Sequence, residues 1–136
     1  MRFMVMVKAT KESEAGIPAK PEAFAAMQKY NEELVKAGVL LAAEGLAESS
    51  KGARVKFSGD KRTVTDGPFT ETKELVAGFS IIQAKSLEEA IEWVKRAPNV
   101  FFSNGEAEIE IRKVMDVEDF GEGFAPNPEI ANLKIK

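Results

Sequence analysis

Cysteine and histidine are both missing from these 136 residues. Their absence excludes disulfides, thiol catalysis, thiolate and imidazole metal sites and every triad built on histidine. Acid–base chemistry near neutral pH would fall to a carboxylate, a lysine or a tyrosine with a shifted pKa, because the side chain that titrates there unperturbed is lacking. No apolar run is long enough to span a bilayer: the longest uncharged stretch, Leu75 to Ala84, is far short of the ~18 residues required. The apolar run Phe3 to Val7 stops at Lys8, too short for a signal-peptide core, so the expectation is a cytoplasmic protein with no membrane partner. Phosphate-binding glycine loops are also lacking, since the one close pair, Gly121 and Gly123, has Pro126 where a third glycine would stand. With 19 basic against 22 acidic residues, and the basic ones scattered, no nucleic-acid surface is expected.

What is present suits a single globular domain: 44% hydrophobic and 30% charged residues, in a chain long enough to bury roughly two thirds of its extended surface. Arg2 to Lys8 alternates as a strand, with Phe3, Val5 and Val7 on one face and Met4 and Met6 on the other. A helix follows from Pro21, with Phe24, Met27, Tyr30 and Leu34 at helical spacing and Gly38 as its stop. Val39 to Leu46 reads as a strand, and Ala53 to Ser58 and Arg62 to Thr65 flank Gly59-Asp60 as a hairpin. Ala77 to Ala84 is the next strand. Ser86 to Glu89 fits a capping box opening a helix with Leu87, Ala90, Ile91 and Val94 on one face, and Ala107 to Met115 is the last strand.

The order β-α-β, hairpin, β-α-β predicts an α+β, ferredoxin-like fold (βαββαβ) with an inserted hairpin: a four-stranded antiparallel sheet with both helices on one face. Met4, Met6 and Ile82 cannot all face the helices along with their neighbours, so the second sheet face is expected to meet another sheet, as in a homodimer. Residues 1–115 form this domain. Residues 116–136 begin with Asp116, Glu118, Asp119 and Glu122 and read as an acidic C-terminal arm or tail. Those acids fit no EF-hand loop, and neither a metal nor a cofactor is expected.

The distinctive run is Asp66-Gly67-Pro68-Phe69-Thr70-Glu71-Thr72-Lys73-Glu74. It resembles the DGPF signature of the YCII-related family, DGPFAETKE, and departs from it only at Thr70, where the family pattern has Ala. The segments KYNEELVKAGVLLA, EGL and EAIEWVKRAPN resemble that family too, so the likeness runs from about Met1 to Met115. The resemblance implies a dimeric α+β barrel in which two ferredoxin-like sheets face each other around a cleft. It also implies a regulatory protein partner, since such chains occur beside extracytoplasmic-function sigma factors, while the polar residues of the run point to a small polar metabolite in that cleft. Better-studied relatives carry a His-Asp pair in the cleft. With no histidine, and Asn99 to Asn104 where many members have one, that mechanism does not transfer.

Two readings of the run stand side by side. Asp66-Gly67-Pro68 is ordinary turn chemistry, with Asp66 accepting backbone N–H bonds, Gly67 permitting positive φ and Phe69 anchoring the loop. Alternatively Asp66, Gly67, Thr70, Glu71, Thr72 and Lys73 form a site for an anionic or carbonyl-bearing molecule, with Glu71 as candidate base. Glu44, alternating with Leu40 and Ala42, is a second candidate acid or base if it points between two sheets. Glu108, Glu110 and Arg112 read as a solvated strand face. Catalysis is left open: binding without chemistry, a non-catalytic regulatory accessory and a histidine-independent enzyme all fit the residues.

Overall fold

The computed structural model describes residues 1–98, 106–123, 127–131 and 133. The first strand, β1 (Arg2–Lys8), leads through a four-residue helix α1 (Lys11–Glu14) to the long helix α2 (Pro21–Lys36) and strand β2 (Leu40–Gly45). The hairpin β3 (Ala53–Ser58) and β4 (Lys61–Asp66) comes next, then β5 (Val76–Gln83), α3 (Leu87–Lys95), β6 (Ile109–Lys113) and a short α4 (Pro128–Ala131). The main sheet has the order β2-β5-β1-β6 with every pairing antiparallel, and the hairpin is a separate two-stranded sheet. This is the ferredoxin-like arrangement expected from the order of apolar periods.

Residues paired directly across antiparallel strands share a face, so register sorts the sheet. Leu40, Ile82 and Phe3 form one row; Ala43, Ser80, Val5 and Ile111 form the next; Gly45, Gly78, Val7 and Ile109 form the third. These rows face α2 and α3, and the core cluster joins Phe3, Val5 and Ile82 to Leu34, Val39 and Ala90. The opposite face carries Met4, Met6, Phe79, Ile81 and Ala42.

Two expectations need correction. Ile82 belongs to the helix face, and its neighbour Ile81, only 2% exposed, supplies the apolar residue of the other face. Leu40 also turns to the helices, because a register shift between Leu40 and Ala42 breaks the alternation; Ala42 and Glu44 keep to the other face.

Helix α2 opens on Pro21 without a side-chain cap and closes as expected at Gly38. Gly38 lies at φ 72°, and the N–H groups of Gly38 and Val39 donate to the carbonyls of Val35 (3.0 Å) and Leu34 (2.9 Å). That is a Schellman closure, with Val39 and Leu34 meeting in the core as its hydrophobic contact. Phe24 and Leu87, expected inside, are exposed; Ala23 is buried in place of Phe24, while Ala90, expected on the inner face of α3, is fully buried.

At α3 the Glu89 N–H donates to Ser86 Oγ (3.2 Å), but the Glu89 carboxylate accepts from the Lys85 N–H (3.1 Å), so the expected capping box is half formed. A complete box stands at α1, which the sequence reading lacks: Ser13 N–H to Thr10 Oγ1, and Thr10 N–H to Ser13 Oγ.

The start of the expected acidic arm is fastened. Lys113 Nζ donates to Asp119 Oδ2 at 2.6 Å and lies 3.7 Å from Asp116 Oδ2. The Lys113 bond, helped by the Asp116 N–H, holds the Asp119 carboxyl below the usual range. A lowered carboxyl contributes stability above its unfolded pKa and loses it as pH falls through the folded value. Lys113, raised chiefly by the same hydrogen bond, loses its share only as pH rises beyond the ordinary lysine range. Lys113→Ala is therefore expected to move the Asp119 titration upward toward the ordinary carboxylate range in a carboxyl-detected NMR titration. An unmoved Asp119 curve would reject the pairing.

Candidate functional site

The three rows of the helix face differ in bulk, and that difference opens a cavity. At the first row Phe3, Ile82 and Leu40 fill the space beneath the helices. One step along, β2 and β5 supply only Ala43 and Ser80, and at the third row only Gly45 and Gly78. Interiors pack densely, so a floor of methyl, hydroxymethyl and hydrogen leaves a void unless the roof descends to fill it. The roof does not descend. Met27, Tyr30, Asn31 and Leu34 of α2 and Val94 and Ala97 at the end of α3 complete a cavity of about 320 Å³, at the lower end of the range for small-ligand sites.

The roof is tied together. Tyr30, at the α2 side, donates its hydroxyl to the Trp93 carbonyl of α3 (2.7 Å). Burial raises the Tyr30 pKa above its ordinary value, against a lowering by Arg96, so the phenol stays protonated at neutral pH. The polar groups offered to the cavity are the Ser80 hydroxyl, the Asn31 amide and the remaining acceptor capacity of Tyr30. Gly78 also fixes the floor: a Cβ there would stand 3.1 Å from the Glu44 carbonyl oxygen.

Glu44 borders this cavity through its backbone side, since pairing with Phe79 turns its side chain to the open sheet face. That is the direction expected of a group between two sheets. Lys8 and Glu110 form an ion pair of 3.3 Å on the same face, so Glu110 is paired and not simply solvated.

The 66–74 loop lies elsewhere, and none of its residues lines the cavity. Asp66 closes the hairpin by pairing with Ala53, and the Gly67 N–H donates to the Gly52 carbonyl (3.0 Å). Gly67 does not use positive φ, contrary to expectation. Its role is space: a Cβ on Gly67 would lie 2.6 Å from the Ser49 carbonyl carbon and nearer still to its oxygen. Ser49 is the hub of the fastening. Its Oγ accepts the Phe69 N–H (3.0 Å) and donates to Glu14, whose other carboxylate oxygen accepts the Ser49 N–H (3.0 Å).

The Phe69 ring lies under the Arg54 guanidinium at 3.8 Å, and Arg54 also reaches Glu71 at 4.0 Å. Thr70 Oγ1 donates to Glu71 Oε1 (3.0 Å). Thr72 and Lys73 belong to a 3₁₀ turn, Thr72–Glu74, with Lys73 exposed. The loop thus gathers Thr70 and Glu71 beside Arg54, turns Lys73 to solvent and leaves Glu44 on a different strand. Asn99 to Asn104 lie outside the described residues. Among the described residues no group of three carboxylates is placed to hold a metal ion, and no helix is long and apolar enough to cross a membrane.

Sequence reasoning missed the cavity, Ser49 and Glu14. Met27, Tyr30 and Leu34 read only as a core stripe, because the small partners that leave them uncovered come from β2 and β5, whose register a linear pattern does not contain. A glycine between Asp66 and Pro68 signals a special backbone need but does not name the carbonyl that presses on it.

A ferredoxin-like sheet roofed by two helices over a small cavity defines an α+β domain. The YCII-related domain matches residues 1–118, and the chain belongs to that family. An uncharacterised protein of Rhizobium meliloti (strain 1021) is 35% identical over 85 residues, which are 62% of this chain; the chain spans 65% of that protein's length. Among solved structures, the 5-chloro-2-hydroxyhydroquinone dehydrochlorinase of Burkholderia phenoliruptrix AC1100, in complex with 2,5-dihydroxybenzoquinone, is similar with a TM-score of 0.45 and 19% identity. That match covers 88% of this chain and 99% of the other.

Proposed function

We propose that this protein binds a small organic molecule in the cavity between α2 and the sheet, as a homodimer. The observation that carries the binding reading is the 320 Å³ space over the Ala43-Ser80 and Gly45-Gly78 rows, with Ser80 and Asn31 at its walls. The 66–74 loop is a fastening that locks the hairpin base to Ser49, and its exposed Thr70, Glu71 and Lys73 remain available to a polar metabolite only in a cleft that a second copy would complete. Saturation-transfer NMR against a library of small neutral and polar molecules tests this. Binders are expected to shift the Ser80 and Asn31 amides and to be lost in Ala43→Leu, which fills the floor. Binders that shift only residues 66–74 would move the site to the loop and reject the cavity.

The homodimer is supported by two apolar surfaces. One is the sheet face bearing Met4, Met6 and Phe79. The other is the hairpin, where Val55, Val64 and Phe57 share a face and are 56, 65 and 68% exposed. A lone two-stranded hairpin is marginal in water, and exposed apolar faces of this kind mark contact sites. Light scattering is expected to give twice the 14.9 kDa chain mass; a monomer at micromolar concentration would reject it. The same hairpin face favours a second reading, a non-catalytic accessory that docks a regulatory protein.

A further inference from the structure

Resting on the cavity reading, we infer that the ligand of this site is electrically neutral: a compact, mainly apolar molecule bearing a hydroxyl, carbonyl or amide. The walls decide this. Among the described residues no lysine, arginine or aspartate lines the cavity, and the one ionised residue at its border, Glu44, directs its side chain to the other face of the sheet. Among the described residues Tyr30 is the one titratable side chain that lines the space from the helices, and its hydroxyl proton is committed to the Trp93 carbonyl.

The cations next to lining residues stay outside the space: Arg96 lies over the Trp93 ring at 4.5 Å, Lys95 pairs with Glu92 at 3.3 Å and Lys8 with Glu110 at 3.3 Å, and neither these nor Lys29 lines it. A carboxylate or ammonium entering here would give up part of its hydration without gaining an ionic partner among the described residues, a cost that favours a neutral group. A hydroxyl or carbonyl would instead find Ser80 and Asn31, each able to donate and to accept. Among the described residues, neither side chain has a hydrogen-bond partner.

The test uses two skeletons, each in three charge states at pH 7: benzyl alcohol, benzoate and benzylammonium, and neopentyl alcohol, pivalate and neopentylammonium. Affinities are read from NMR shifts of the Ser80 and Asn31 amides in wild type and in Ala43→Leu. The alcohol of at least one skeleton is expected to bind about tenfold or more tightly than both of its ionised partners. A preference below about threefold in both skeletons, or tighter binding of either ion, overturns neutrality while leaving the cavity as the site. Absence of any Ser80 or Asn31 shift, or shifts that persist in Ala43→Leu, overturns the cavity reading and this inference with it. Asn31→Asp supplies the missing ionic partner and is expected to shift preference toward benzylammonium; an unchanged preference also counts against the inference.

Discussion

Gly67→Ala is expected to destabilise the protein by about 3 kcal/mol, although it adds one methyl group at a surface loop. The added carbon would fall inside the Ser49 carbonyl, which is backbone and cannot swing aside as a side-chain tip would. Either the loop lifts or the Ser49–Lys51 turn retreats. Lifting breaks the Phe69 N–H bond to Ser49 Oγ and the Gly67 N–H bond to Gly52; retreat pulls Ser49 from Glu14. Each lost bond leaves a partly buried polar group to be resolvated, adding about 1 kcal/mol apiece. Urea titration measures the loss, and a change below about 0.5 kcal/mol would show that the loop is not braced against Ser49. Such a result would return the run to the freely presented polar site that its Thr70, Glu71 and Lys73 suggest.

Leu34→Ala is expected to cost about 3 kcal/mol, within the usual range for a buried leucine, because the side chain is only 3% exposed and touches both the core cluster and the cavity wall. The methyl groups removed lie between two regions with different tolerance. Toward Phe3 and Ile82 their loss leaves a hole in packed material. Toward Met27 and Ser80 it merely enlarges an existing space. The loss should therefore fall when a ligand larger than the wild-type one is present, since a molecule bound only by the folded state adds to its stability. Thermal melts with and without a bulkier alcohol check this. Equal melting shifts in wild type and variant would separate Leu34 from the cavity.

Much of the scaffold was legible because its signals are local. Gly38 stops α2, Gly59 at φ 58° turns the hairpin, and the alternation in Arg2–Lys8 gives a strand with two apolar faces. Where expectation failed, the deciding partner lay far along the chain. Leu40 took the opposite face from that expected because of a register shift that alternation alone does not reveal, and Ile82 did so because its partner across the sheet is Phe3. Phe24 and Leu87 matched the helical period but lie beyond the sheet's reach: Ala23, off the expected stripe, is buried on α2, and on α3 the expected Ala90 is buried without Leu87. Asp66-Gly67-Pro68 announced a turn, yet Glu14 and Ser49, 53 and 18 residues before Gly67 in the numbering, supply the brace.

The bond from Tyr30 to Trp93 makes the two helices a single lid of fixed height, while the size of the chamber beneath is set by Ala43, Ser80 and Gly78 on the strands. Stability and selectivity are thereby written on different rows of the same sheet. Substitution along the Ala43-Ser80 row can change which molecule fits, in steps of a methyl group, without disturbing the Phe3-Ile82 row that holds the fold. On the proposed function, a lineage carrying this architecture would exchange one ligand for another through changes at two or three strand positions, with the lid and the braced loop left as they are.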